Sequence, residues 1–337
     1  MTSVVSERSD QVRYEETSGT VNPPGPKVVA LGGGHGLYAS LSALRRVTER
    51  LTAVVTVADD GGSSGRLRKE LGVLPPGDLR MALAALCGDD EWGQTWRDVV
   101  QHRFRSQGDL HDHAVGNLLI VALWELLGAE AAVEGLDWVG RLLGAHGRVL
   151  PMASVPMDIV AEVRGADPAR PDAVSRVKGQ VACAKTPGTV LSVSLVPTDP
   201  PACPEALQAV DEADWVVFGP GSWFTSVMPH LKVPELAQAL TRTRARRIVA
   251  LNLVPQPGET DDFSPQTHLE VLQAHAPDLR IDVVLADRGV VDDTAALDKA
   301  VQALGGSLVL ADVAAADGSP RHDPTLLAQA FVQIFAD

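Results

Sequence analysis

The residues best suited to chemistry in this chain gather at turns that follow short apolar runs. Gly32-Gly33-Gly34-His35-Gly36 comes directly after Val28-Val29-Ala30-Leu31. Glycines at a strand-to-helix turn let the backbone fold tightly and approach a ligand. The helix that follows aims free N–H groups and its positive dipole end at an anion. The spacing Gly34-x-Gly36-x-x-Ala39 fits a relaxed dinucleotide fingerprint, whereas counting from Gly32 would need a small residue where Leu37 stands. A tight turn without a ligand is the plain alternative.

The next apolar run, residues 54–57, ends in Asp59-Asp60-Gly61-Gly62-Ser63-Ser64-Gly65-Arg66. An acid at this strand end in a dinucleotide fold bonds a ribose hydroxyl. A pair of acids can instead hold Mg²⁺ beside phosphates. The Gly-Gly-Ser-Ser-Gly run can form a nest of backbone N–H groups with two hydroxyl donors, suited to phosphate oxygens. The bland alternative is a flexible surface loop. Farther on, Pro75-Pro76-Gly77-Asp78-Leu79-Arg80 precedes a helical pattern. Asp78 reads either as an N-cap or as a ligand-facing acceptor, with Arg80 turned to phosphate. His111-Asp112-His113 resembles a metal pair but has no third ligand nearby, so no metal is expected. Gly116-Asn117 opens a further helix, where Asn117 caps or touches ligand.

A third strand–glycine–helix turn follows residues 215–218 at Gly219-Pro220-Gly221-Ser222, again suited to an anion. Ser222 is not in a G-x-S-x-G elbow, which argues against a hydrolase nucleophile. Asn252 and Pro255-Gln256-Pro257-Gly258-Glu259-Thr260 mark a fourth strand end. No G-x-x-x-x-G-K-[ST], H-E-x-x-H or Ser/His/Asp order occurs, so P-loop, zinc-protease and serine-hydrolase chemistry fall away.

Turns of this kind need parallel strands behind them. Strand at 28–31, glycine loop, helix over 37–46 and strand at 54–57 make the opening of a doubly wound fold. Helical patterns follow around 79–86, 92–104, 117–127 and 136–143. Trp92, Trp96, Val99 and Val100 share one helical face and are expected in the core. Between 149 and 201 Gly and Pro punctuate strands at 159–163, 177–182 and 190–196, a small β excursion. The α/β rhythm then resumes with strands at 215–218, 248–253, 281–285 and 308–310, and Asp323 caps a last helix that starts at Pro324. The fold class is α/β: a Rossmann-like, doubly wound, mainly parallel sheet. Residues 27–337 form one domain, and residues 1–26 are a polar, disordered tail of mixed charge with no apolar signal segment.

A hydrophobic fraction of 45% is enough for such a core, and a net charge of −14 speaks against nucleic acid while leaving nucleotides open. No apolar run is long enough for a membrane span. Cys87, Cys183 and Cys203 are odd in number and lack zinc spacing, which suits a reducing cytoplasm.

Taken together, the turns resemble the gluconeogenesis factor (YvcK-like) family, relatives of the 2-phospho-L-lactate transferase (CofD). The matching stretches include the loops at Gly32, Asp59, Asp78 and Gly219, together with His102-Arg103-Phe104, His113-Ala114-Val115-Gly116-Asn117-Leu118 and Gln256-Pro257-Gly258-Glu259-Thr260, all in family order. The resemblance implies a ligand at the strand ends, a UDP-sugar such as UDP-N-acetylglucosamine or an NAD-like nucleotide. It also implies a role in carbon metabolism, cell-wall synthesis and cell shape. It points to the regulatory branch, with no catalytic residue, no required cofactor and room for a homodimer. The alternative is a transferase of phosphorus-containing groups, acting on a deazaflavin with Mg²⁺. Two departures from the family pattern are Trp223-Phe224 and Gln180, where Glu is common after Gly179.

Overall fold

A computed structural model describes residues 25–128, 130–256 and 258–336, so the expected tail lies almost wholly outside the described residues. Ten strands form. In chain order they are β1 (Val28–Gly32), β2 (Leu51–Val55), β3 (Arg148–Pro151), β4 (Asp158–Arg164), β5 (Val174–Lys178), β6 (Thr189–Val196), β7 (Trp215–Phe218), β8 (Arg246–Ala250), β9 (Val283–Asp287) and β10 (Ser307–Ala311). Seven of them make one sheet in the order β10-β9-β8-β7-β1-β2-β3, every neighbouring pair parallel. All five residues of β1 and of β9 are buried, as expected of strands covered on both faces.

The chain lays β1, β2 and β3 outward in one direction, then returns to the other flank of β1 with β7. Register pairs Val28 with Leu51 on one side and with Trp215 on the other. This reversal is a topological switch point, and open α/β sheets form their ligand crevice outside the strand ends there. The helices Gly34–Leu44, Gly77–Leu86 and Pro324–Ala336 pack around this centre, the first touching both others.

β4, β5 and β6 form a separate antiparallel sheet in the order β5-β4-β6. The excursion is thus narrower than the sequence pattern suggests, because residues 148–151 join the main sheet as β3. The run expected as a strand over 177–182 stops at Lys178. Gly179 takes φ +104°, and the chain turns into the short helix Gln180–Lys185. The second strand lies at 51–55 rather than 54–57, which leaves Thr56 to Asp60 in the connection to the helix Gly62–Leu71.

The tryptophan stripe is not core. Trp92 is 55% and Val99 37% exposed, and of the four residues only Val100 is buried. The helix Glu91–Gln101 lies at the periphery, where Trp92 and Trp96 pack on one another at 5.6 Å and the Trp92 indole N–H donates to Leu142 O at 3.2 Å. Asp323 does cap the last helix, accepting from Thr325 N at 2.7 Å and Leu326 N at 3.0 Å. Among the described residues no helix is long and apolar enough to cross a membrane.

Candidate functional site

The first and third glycine loops meet at the switch point. Gly33 precedes the helix Gly34–Leu44, whose first residue takes φ +57°. A Cβ on Gly36 would fall onto the Pro220 carbonyl and the Gly221 backbone, so the two loops touch there and no side chain fits. Ser40 Oγ donates to Gly219 O at 2.7 Å. Asn252, beyond β8, clasps Gly221 from the far side. Its amide donates to Gly221 O and accepts from Gly221 N, both at 2.8 Å.

A cavity of about 940 Å³ opens over this junction. One wall is Gly33, Gly34, His35 and Gly36; the facing wall is Gly221, Ser222 and Asn252; the stretch 315–317 and 320–324 closes a third side. Gln101 and Tyr38 also reach it. Gly32 and Gly219 shape the loops from below without lining the cavity.

The acidic turn after β2 behaves differently from its sequence reading. Asp59 and Asp60 serve different elements. Asp59 Oδ1 accepts from Gly61 N at 2.9 Å, while Asp60 Oδ1 accepts from Val181 N at 3.0 Å and holds the start of the helix Gln180–Lys185. Gly61 packs against Val181, and Gly62 opens its helix at φ +49°. Burial raises the Asp59 pKa, opposed by the Gly61 N–H and the Ser64 hydroxyl. Ser63 and Ser64 are buried, and their hydroxyls point inward. Ser64 Oγ accepts from Gly77 N at 3.0 Å, and Ser63 Oγ meets His113 Nδ1 and Asn117 Nδ2, each at 3.0 Å.

Asn117 Oδ1 in turn accepts from Arg80 Nε at 3.0 Å, and Arg80 Nη1 donates to Gln101 Oε1 at 3.2 Å. His113, Ser63, Asn117 and Arg80 thus form a buried polar chain that ends on the cavity at Gln101. Burial, then the nearby Arg103, pushes the Arg80 pKa down to about 10. Burial followed by Arg66 lowers that of His113. Asp78 is not the cap of its own helix, a position held by Pro76. Its carboxylate lies against Gly33 and takes the Gly34 N–H, and burial followed by the Asp59 charge pushes its pKa up to about 7. Among the described residues no three His, Cys, Asp or Glu side chains converge as a metal site would need.

Of the candidate residues, then, Gly33, Gly34, His35, Gly36, Gly221 and Ser222 meet on one cavity. Asp59, Ser63, Ser64, Asp78, Arg80, His113 and Asn117 lie behind its first wall, Asp60 and Gly61 face the helix Gln180–Lys185, and a Cβ on Gly62 would meet open space. Sequence reasoning left out Gln101, Tyr38, the 315–324 stretch and Glu259. Glu259 is 6% exposed, and each of its oxygens lies 2.7 Å from Ser222 Oγ; one also accepts from Phe224 N at 3.0 Å. Burial raises its pKa against these donors. Its signals in the sequence were a carboxylate in a glycine turn at a strand end and its place in the family-matching stretch Gln256-Pro257-Gly258-Glu259-Thr260, neither of which gave it a role. Gln180, the departure after Gly179, donates Nε2 to Thr225 O at 3.2 Å, a bond a carboxylate could not give.

A parallel sheet with a switch-point crevice, flanked by glycine loops on two adjacent strands, defines a Rossmann-like α/β protein. The chain belongs to the 2-phospho-L-lactate transferase CofD family, whose model matches residues 28–317. It is 53% identical to a protein of Mycobacterium tuberculosis named as a gluconeogenesis factor, over 89% of this chain and 88% of that one. A gluconeogenesis factor of Listeria innocua is 34% identical, over 91% of this chain and 95% of its own. A crystal structure of a UPF0052 family member from Bacillus halodurans superposes with a TM-score of 0.81 at 30% identity, covering 92% of this chain and all of that one.

Proposed function

We propose that this chain is a nucleotide-sugar-binding regulatory protein of the gluconeogenesis factor type, acting in carbon metabolism, cell-wall synthesis and cell shape. The observation that carries the reading is the cavity of about 940 Å³ set at the switch point between two glycine loops. Its size is that of a small-molecule site and its place is where doubly wound sheets take nucleotides. The helix Gly34–Leu44 starts in the cavity wall, where its positive dipole end favours a diphosphate, while its first N–H, that of Gly34, goes to Asp78. Arg321, on the closing stretch, adds a cation that is ion-paired to Asp317 at 2.8 Å. The ligand is a UDP-sugar such as UDP-N-acetylglucosamine, or an NAD-like nucleotide. Binding does not require Mg²⁺ in this reading, since Asp59 and Asp60 are turned to separate elements. Calorimetry with UDP-N-acetylglucosamine, UDP-glucose and NAD tests it, with native mass spectrometry of the purified protein for a retained nucleotide. Heat from none of the three would overturn it.

The description of the matching family supports a second reading, a 2-phospho-L-lactate transferase, for which the sequence resemblance implies a deazaflavin acceptor. Turnover of a phospholactyl-nucleotide with a deazaflavin acceptor would establish it over the regulatory one.

A further inference from the structure

β5 is an edge strand. The small sheet runs β5-β4-β6, and among the described residues no strand but β4 pairs with β5. Register settles which of its backbone groups are free. Val163 faces Ser175 and Ala161 faces Val177. Just beyond the two ends, Gly165 N donates to Ala173 O at 3.1 Å and Gly179 N to Ile159 O at 2.8 Å. Bonded and non-bonded pairs alternate along an antiparallel ladder. Ser175 and Val177 therefore bond to β4, and Val174, Arg176 and Lys178 turn their N–H and C=O groups outward.

The side chains of those three residues are also exposed, on the face of the sheet opposite the buried Ile159, Ala161 and Val163. On that face the exposed Arg164 lies opposite Val174, and Glu162 lies opposite Arg176. Glu162 accepts from Ser192 Oγ at 3.0 Å, and Arg176 makes no ion pair among the described residues. Lys178 reaches Asp158 at 2.9 Å, a carboxylate already held by Arg68 at 2.7 Å. The edge is thus basic on a chain of net charge −14. It is also anchored. Val181 N donates to Asp60 and Gln180 Nε2 to Thr225 O, which ties the backbone after Lys178 to two turns of the main fold. A preordered edge spares a partner part of the ordering cost of binding.

We propose that β5 is a docking edge for an extended acidic segment of another protein, which adds to the small sheet as a fourth strand. The main chain of that segment bonds to Val174, Arg176 and Lys178. Acids at alternate positions meet Arg176 and Lys178, and an apolar residue at the next alternate position meets Val174. The same charges work against a second copy of this chain. Antiparallel pairing of two β5 strands centred on Arg176 sets the two Arg176 side chains against each other, and like charges directly opposite are destabilising. This edge lies outside the cavity, so the proposal does not rest on the nucleotide-sugar reading.

The probe is a fluorescent peptide of alternating threonine and glutamate that ends on valine, with a lysine-for-glutamate version as its control. Titrated against the full chain, the acidic peptide should bind, and the lysine peptide about tenfold more weakly or not at all. Arg176→Glu should weaken the acidic peptide by about five- to tenfold. Val174→Pro removes one outward N–H and spares the ladder to β4, a change that the first residue of an edge strand tolerates. It should weaken the acidic peptide by about three- to tenfold. Both variants should melt with wild type. Amide exchange followed by NMR should be fast at Val174, Arg176 and Lys178 and slow at Ser175 and Val177, and the acidic peptide should make it slow throughout. Equal binding of the two peptides by wild type, or unchanged binding by either variant, overturns the proposal. So does a wild-type dimer that Val174→Pro turns into a monomer by light scattering, since a second copy then holds the edge. Loss of the nucleotide-sugar reading in calorimetry would leave every one of these outcomes as stated.

Discussion

The carboxylate of Asp78 lies directly against the first glycine loop: a Cβ built on Gly33 would stand 2.5 Å from Asp78 Oδ2. Gly33→Ala must therefore displace either the loop or the buried carboxyl. Overpacking of this kind costs about 1–3 kcal/mol. The variant should melt lower and bind nucleotide more weakly, by thermal melts and calorimetry. Wild-type values for both would mean that the loop yields freely.

Asp78 should also make stability depend on pH. Its folded-state pKa, pushed up to about 7, exceeds the ordinary 3.8, so the folded protein keeps a proton that the unfolded chain has lost. By linkage, stability falls as pH rises between those two values and levels off above the higher one. Asp78→Asn stays neutral throughout and still offers an oxygen to the Gly34 N–H. It should flatten that slope and melt a few degrees above wild type near pH 8, with the gap closing near pH 5. Parallel melting curves would remove Asp78 as the source of the slope.

Asp60 joins the acidic turn to the excursion through Val181 N. Asp60→Ala removes the acceptor at the start of the helix Gln180–Lys185, a change worth about 0.5–2 kcal/mol for a capping group. Hydrogen exchange should quicken over residues 179–185 and leave β1 and β7 as slow as before. Uniform quickening across the main sheet would mean that Asp60 supports the whole fold instead.

Arg80 bonds two neutral acceptors, Asn117 Oδ1 and Gln101 Oε1. Arg80→Met leaves both without this donor, at about 1–3 kcal/mol for buried Asn117 and less for Gln101, which water in the cavity can reach. It should also loosen Gln101 at the cavity wall. Both stability and nucleotide affinity should fall, and adding Asn117→Leu should recover part of the stability. Additive losses in the double variant would contradict a shared network.

Parallel strands buried on both faces write themselves as unbroken apolar runs, which is why β1, β7 and β9 and the switch-point architecture were readable from residue order alone. β3 was missed because a four-residue run with an exposed Arg148 at one end and Pro151 at the other carries little pattern. Trp92 was misplaced because helical spacing reports a shared face without saying what lies opposite it. At the site, glycine turns announced the loops, since few other residues can make them. Side-chain direction was not legible. Ser63 and Ser64 are donors of the right type, but their hydroxyls turn inward to partners such as Asn117 and Gly77. Asp60 finds its partner 121 positions away and Ser222 finds Glu259 37 positions away. No local pattern encodes pairings across such distances.

The position of β1 in the sheet also sets an order in time. Its second neighbour is β7, whose register matches Val28 to Trp215, so the strands that flank the cavity are separated by most of the chain. Closing so large a loop precedes any reward from the pairing, and contacts this distant slow folding. Until β7 arrives, β1 presents an apolar, unpaired edge of the sort that invites misassociation. That pairing is what sets the two glycine loops side by side. A ligand that recognises both draws on the finished state alone, and its concentration sets how firmly the last strand pairing is held against reopening.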